Sequence, residues 1–104
     1  FWGVFYHIVS MQVETVENKE EKRIEKNVIL TLDNMDHSIQ GKFIFYDVSL
    51  FYMAGLDTLS GFEIDKNEDG TFAHGNNFLV VDYANNALSF YCKAVEVLKV
   101  EKIG

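Results

Sequence analysis

The sequence predicts a mainly β fold: a single antiparallel β-sandwich or small barrel of about seven strands, with at most one or two short helices. Apolar and polar residues alternate with a period of two over several segments, as in strands that bury one face. Clusters of Asn, Asp and Gly separate these segments at short intervals. A hydrophobic content of 48% and an aromatic content of 14% are enough to fill a core in 104 residues. An α+β fold is the alternative.

The first half of the chain contains three predicted strands. In Phe5–Val13, the odd-numbered residues share one face, and Val28–Leu32 and Ser38–Tyr46 are the next two strands. The polar run Asp33–His37 is the predicted turn between the second and third. The segment Glu14–Lys26 carries nine charges in thirteen positions, and a helix would stack like charges four residues apart. We therefore expect a long, mobile loop there.

The segment Asp47–Ala54 has two interpretations. Its apolar residues have helical spacing, Asp47 could cap the N-terminus of a helix, and Gly55 could end it. One or two helical turns are the first expectation, and a buried strand is the second.

The second half of the chain is otherwise predicted as β structure, with a C-terminal helix over 94–103 as an alternative to the end of the last strand. The predicted elements are the hairpin Phe62–Phe72, the strand Phe78–Tyr83, the turn Ala84–Ala87 and a final strand Leu88–Val97 that can continue to Val100.

The chain 1–104 is predicted to form one domain, and its start at Phe1 indicates excision from a longer protein. The longest apolar run, Phe43–Leu56, is interrupted by Asp47 and is shorter than the ~18 residues of a membrane span, so no transmembrane segment is expected. The single cysteine, Cys92, excludes an internal disulfide framework. Together with the absence of glycosylation sequons it favours a cytoplasmic location, although a disulfide-free domain can also be secreted.

The net charge of −7 disfavours a nucleic-acid or anionic-membrane surface, which would require a basic patch. The charges of Glu14–Lys26 nearly cancel. Elsewhere, eleven acidic residues face five lysines. The predicted partner is therefore a protein, and a basic one if electrostatics steer it.

The stretch Phe62–Phe72 contains the first half of a calcium-loop pattern, formed by Asp65, Asn67, Asp69 and Gly70. An EF-hand requires Glu at the twelfth loop position and a helix on each side, but the twelfth position here is Asn76. The same residues suit a hairpin turn at Asp69-Gly70, which is the main prediction. A weak calcium site at Asp65, Asn67 and Asp69 is the secondary one, and no other cofactor is predicted.

Nucleophilic and metal chemistry have weak sequence support. Cys92 lies on the apolar face of a predicted strand, which is typical of a core cysteine rather than of a reactive thiolate. The histidines show no metal-ligand spacing. We expect His7 to be a core residue and His37 and His74 to be exposed in turns.

Hydrolysis by paired carboxylates needs an acid whose pKa is raised, and no residue pattern in the sequence predicts such an acid. The candidates are Asp57, Glu63, Asp65, Asp69 and Asp82. No nucleophile elbow or phosphate loop is present, so an enzyme is not predicted.

The function predicted first is a non-catalytic interaction domain with an acidic surface. The first alternative is a small β-barrel that carries an apolar ligand among its fifteen aromatic residues. A weak calcium-binding module is the second alternative.

Overall fold

The computed structural model describes residues 2–54 and 58–103, and these form eight strands in two four-stranded antiparallel sheets. The strands are β1 Phe5–Asn18, β2 Arg23–Asn34, β3 Ile39–Tyr46, β4 Ser49–Met53, β5 Phe62–Lys66, β6 Phe78–Asp82, β7 Leu88–Cys92 and β8 Ala94–Lys102. Two single-turn 3-10 helices, Trp2–Val4 and Ala73–Gly75, are the only helical segments in the described residues. No helix in the described residues is long and apolar enough to cross a membrane. The mainly β prediction is confirmed, and the α+β alternative is wrong.

The two sheets pack face to face as a sandwich. The strand orders are β1-β2-β3-β8 in the first sheet and β4-β7-β6-β5 in the second. The rings of Phe45 and Phe90 meet edge to face between the sheets, with their centroids 5.1 Å apart. Both sheets supply the core, which includes the buried side chains of Leu30, Leu32, Phe43, Phe45, Phe62, Val80, Leu88 and Phe90.

The segment Glu14–Lys26 is the far end of the β1–β2 hairpin, so the predicted loop is wrong. The two strands pair as far as Asn18 and Arg23. In this register every charged residue of the paired segment lies opposite a neutral one, as in the pair Glu17 and Ile24. Like charges four residues apart repel each other in a helix. In a strand pair they do not, because each side chain interacts mainly with the residue directly opposite on the other strand.

β4 replaces the helical turns predicted over Asp47–Ala54. It pairs with β7 through an irregular register between Ser49 and Tyr52, and Leu50 there has φ 53°. An irregularity of this kind breaks the period of two, which is why the apolar residues imitate helical spacing. The ring of Phe51, which is 41% exposed, stacks on the buried ring of Phe90 with a centroid distance of 5.6 Å. Gly55, the predicted helix end, lies outside the described residues.

The hairpin predicted over Phe62–Phe72 has the correct first strand and the wrong second one. β5 pairs with β6, so the returning strand is Phe78–Asp82. A longer loop, 67–77, connects them and is held closed by Asn67. The backbone N–H of Asn67 donates to the Asn77 carbonyl at 2.8 Å, and its side-chain amide donates to the Asn76 carbonyl at 2.8 Å.

The final strand predicted from Leu88 is two strands that belong to different sheets. The chain changes sheets at Lys93, whose N–H donates to the Tyr46 carbonyl at 2.9 Å. β8 then continues to Lys102 beside β3, so the C-terminal helix is wrong. Side-chain alternation does not reveal this crossing, because Cys92 and Val95 on either side of it both pack against the core.

Candidate functional site

The outer surface of the second sheet carries acidic and aromatic side chains. In the pairing register, Asp65, Leu79 and Tyr91 form one row across three strands, and Glu63 and Val81 lie in the neighbouring row. Successive side chains of a strand point to opposite faces, and the alternate rows of these strands contribute to the core. The carboxylates of Glu63 and Asp65 therefore lie on the outer surface, on edge strand β5.

Tyr83 connects the acidic and aromatic side chains of this surface. Its hydroxyl donates a hydrogen bond to the Asp65 carboxylate. Tyr83 itself is 61% exposed. That hydrogen bond is the main reason why the pKa of Tyr83 is raised, followed by burial and the negative charges of Asp65 and Glu63. The phenol thus stays protonated and holds the carboxylate in place. We call Glu63, Asp65, Tyr83 and Tyr91 the acidic face.

Neither carboxylate of the acidic face forms an ion pair with a residue in the described part of the chain. The adjoining loop adds the exposed side chains of Glu68 and Asp69, with Lys66 as the sole basic residue between Phe62 and Phe72. Within residues 2–54 and 58–103, this end of the molecule therefore has an excess of negative charge that no ion pair neutralises.

The predicted calcium ligands are close in sequence, but their oxygens have separate hydrogen-bond partners. Asp65 accepts from Tyr83, and Asn67 Oδ1 accepts the Phe72 N–H at 3.4 Å. Asp69 Oδ1 accepts from the hydroxyl of Thr71 at 2.7 Å and from its N–H at 3.2 Å, which lowers the pKa of Asp69. Asp65 and Asp69 line one open depression of about 520 Å³, and Asn67 does not line it. Weak calcium binding stays a prediction.

Among the carboxylates considered for hydrolysis, Asp82 is separated by the fold from Glu63, Asp65 and Asp69. Asp82 is completely buried at the end of β6 and accepts three backbone N–H groups, from Ser60 at 3.3 Å, Gly61 at 2.9 Å and Ala87 at 3.2 Å. These hydrogen bonds join the end of β6 to the segments that precede β5 and β7. Glu63, in contrast, lies on the outer surface of the sheet. Asp57 lies outside the described residues.

Cys92 is completely buried, as predicted. Burial raises the pKa of its thiol to about 12, because the apolar surroundings disfavour the thiolate. The thiol is therefore protonated at neutral pH and belongs to the core.

A cluster of three metal-ligating side chains lies at the end of the first sheet, where the sequence indicated none. His7 of β1 is the cross-strand partner of Asp33 in β2, and His37 follows in the turn after β2. One ligand atom from each of the three residues lies within 4.8 Å of the others. His7 is half-buried rather than in the core, and its ring stacks on that of His37 at 4.6 Å. His37 and His74 are exposed, as predicted.

The sequence pattern indicates only two of the three members of this cluster. The Asp33-x-x-x-His37 spacing is visible in the sequence, but the third member is 26 positions away. His7 joins it only through the β1–β2 register, which includes irregularities on both sides of His7 and Ile8.

An apolar depression of about 220 Å³ lies between the sheets, lined by Val13, Lys26, Val28, Val48 and Phe51. Pockets that bury small-molecule ligands usually measure about 300–1,000 Å³. The depression therefore gives the apolar-ligand alternative little support.

Comparison with known protein families, characterised proteins and solved structures finds no significant match to this chain.

Proposed function

We propose that this chain is a non-catalytic interaction domain that binds a basic segment of a partner protein on its acidic face. The observation that carries the proposal is the pair of carboxylates, Glu63 and Asp65, which share one sheet surface with two tyrosines and form no ion pair with any described residue. Glu68 and Asp69 extend the negative region into the next loop.

The chemistry of the acidic face suits arginine and lysine side chains. A carboxylate accepts charge-assisted hydrogen bonds from a guanidinium, often in a bidentate geometry. Tyrosine rings attract cations through their negative faces, and the exposed ring of Tyr83 lies next to Asp65. Because Tyr83 already orients the Asp65 carboxylate, less conformational freedom is lost on binding.

The charged side chains of the first sheet differ, since ion pairs partly neutralise them. Lys99 pairs with Glu101 at 3.2 Å. Arg23 pairs with Asp47 at 2.7 Å and with Glu25 at 3.0 Å. A basic partner would have to break such pairs there, so the second sheet is the favoured surface.

The test measures binding of a labelled oligo-arginine peptide by fluorescence anisotropy at physiological ionic strength. Asp65→Lys should weaken binding about tenfold, because it replaces attraction by repulsion at the centre of the face. The matched control is Glu20→Lys in the turn between β1 and β2, which changes the net charge equally and should change affinity by less than about twofold.

Equal weakening by both variants would contradict the proposal, because it would show that only the net charge matters. Absence of peptide binding to the unmodified domain would also contradict it. Amide spectra of both variants verify that each one retains the native fold.

A further inference from the structure

We propose that His7, Asp33 and His37 bind one divalent first-row transition-metal ion, with zinc as the representative ion. The proposal is independent of the acidic face, because the cluster belongs to the first sheet and its adjoining turn. Two observations carry it: the convergence of two imidazoles and a carboxylate, and a buried carboxylate oxygen without a partner.

The cluster is assembled by the backbone. His7 and Asp33 are paired across β1 and β2, so their side chains share the outer surface of the first sheet. The turn after β2 brings His37 back over Asp33, with His37 at φ 59° and its N–H donating to the Asn34 carbonyl at 3.1 Å. His37 Nδ1 lies 2.7 Å from Asp33 Oδ2.

The Asp33 carboxylate is incompletely satisfied in the described structure. The residue is only 4% exposed, and its Oδ1 atom is buried with no hydrogen-bond partner. A buried acceptor without a partner destabilises the protein by the cost of removing it from water. A cation bound through Oδ1 would remove this cost, whereas the hydrogen bond between His37 and Asp33 engages only Oδ2.

The ligand set selects the class of metal. Two imidazoles and one carboxylate suit zinc, cobalt, nickel or copper, whereas calcium and magnesium prefer oxygen ligands alone. Tetrahedral zinc with bonds of about 2.0–2.1 Å needs ligand atoms roughly 3.3 Å apart. The side chains must therefore close from their present limit of 4.8 Å, and His37 can rotate because its side chain is 62% exposed. Solvent completes the coordination with a fourth ligand.

The test titrates the metal-free protein with Co²⁺, whose visible absorption reports tetrahedral coordination, and then displaces Co²⁺ with Zn²⁺. We expect saturation at one equivalent. His7→Ala and His37→Ala should each weaken binding by at least about tenfold. His74→Ala is the matched control, because it removes the exposed histidine of the 3-10 turn, outside the cluster, and should leave the affinity unchanged.

A second readout needs no variant and so cannot be affected by misfolding. In proton NMR spectra, substoichiometric Co²⁺ should broaden the ring signals of His7 and His37 while those of His74 stay sharp. Absence of saturable binding, equal loss in the His74→Ala variant, or equal broadening of all three histidines would overturn the proposal and leave only the hydrogen bond between Asp33 and His37.

Discussion

The two hairpins β1–β2 and β5–β6 both carry dense charge, but they use it differently. In β1–β2, acidic and basic residues are interspersed, those of the paired segment beyond Val13 lie opposite neutral residues, and Arg23 forms ion pairs with Glu25 and Asp47. In β5–β6, the carboxylates of Glu63 and Asp65 have one sign and no ion-pair partner among the described residues. Charge density alone therefore does not distinguish a loop from a strand. The balance of signs indicates which hairpin has charge left for a partner.

The largest effect on stability is expected for Asp82, a completely buried carboxylate at the base of the β5–β6 hairpin. Asp82→Ala removes the acceptor of three backbone N–H groups and should reduce the free energy of unfolding by about 3 kcal/mol. Urea denaturation measures this loss. Asp82→Asn, which keeps one acceptor oxygen, should lose less. A fully native stability for Asp82→Ala would show that these N–H groups have other acceptors.

Gly70 lies in the loop of the β5–β6 hairpin, and its φ of +74° is unfavourable for a residue with a Cβ atom. A Cβ there would meet no atom within 4 Å, so the effect is purely conformational. Gly70→Ala should destabilise the domain by about 1 kcal/mol in thermal denaturation. Gly70→Asn is the control and should cost less, because Asn tolerates this conformation. Equal losses would point to a cause other than backbone strain.

Asp47 forms an ion pair with Arg23 of the β1–β2 hairpin. Its hydrogen bonds with Arg23 lower its pKa, so the stabilisation is present above the ordinary carboxyl pKa of about 3.9 and is lost as the pH falls through the lower folded-state value. Asp47→Asn keeps the shape of the side chain and should cost about 0.5–1 kcal/mol at neutral pH.

Urea denaturation at neutral and acidic pH provides the measurement for Asp47→Asn, with Glu20→Gln as an unpaired control. The difference between the Asp47→Asn variant and the unmodified protein should shrink in acid and in high salt. A difference independent of pH would exclude the ion pair as its source.

Calcium binding is the smallest expected effect and would sharpen the contrast between the hairpins. Chemical shifts of loop 67–77 should move with an affinity no tighter than ~10⁻⁴–10⁻³ M, because the loop oxygens are engaged in other hydrogen bonds. Asp69→Asn should reduce the shifts, and Glu20→Gln should not. Micromolar affinity lost on Asp65→Ala would instead establish a true calcium site.

Local patterns predicted well where a regular strand buries one face, but not in β1, where register shifts on both sides of His7 and Ile8 interrupt the predicted common face of Phe5–Val13. Strands β3 and β6 agree closely with the predicted segments, and Cys92 is in the core as predicted. Prediction failed where a long-range partner decides the conformation. Glu14–Lys26 is a strand pair because each strand provides the other's hydrogen bonds, which the charges of either one alone do not indicate.

The candidate sites divide in the same way. The acidic residues of β5 and its loop were visible in the sequence, because they are neighbours along the chain. Their association with Tyr83 and Tyr91 required the register of three strands. The histidine cluster depends still more on pairing, since only the β1–β2 register brings His7 beside Asp33.

The class of fold, the buried faces of β3 and β7 and the sign of the net charge could be predicted from the amino-acid sequence, because they follow from the chemistry and spacing of near neighbours. The pairing of the strands, the change of sheets at Lys93 and the polar side chains that meet on a common surface became known only from the folded structure. The physical reason is that backbone hydrogen bonds are the same for every residue. Register is therefore selected by the packing of the whole core, not by any one segment.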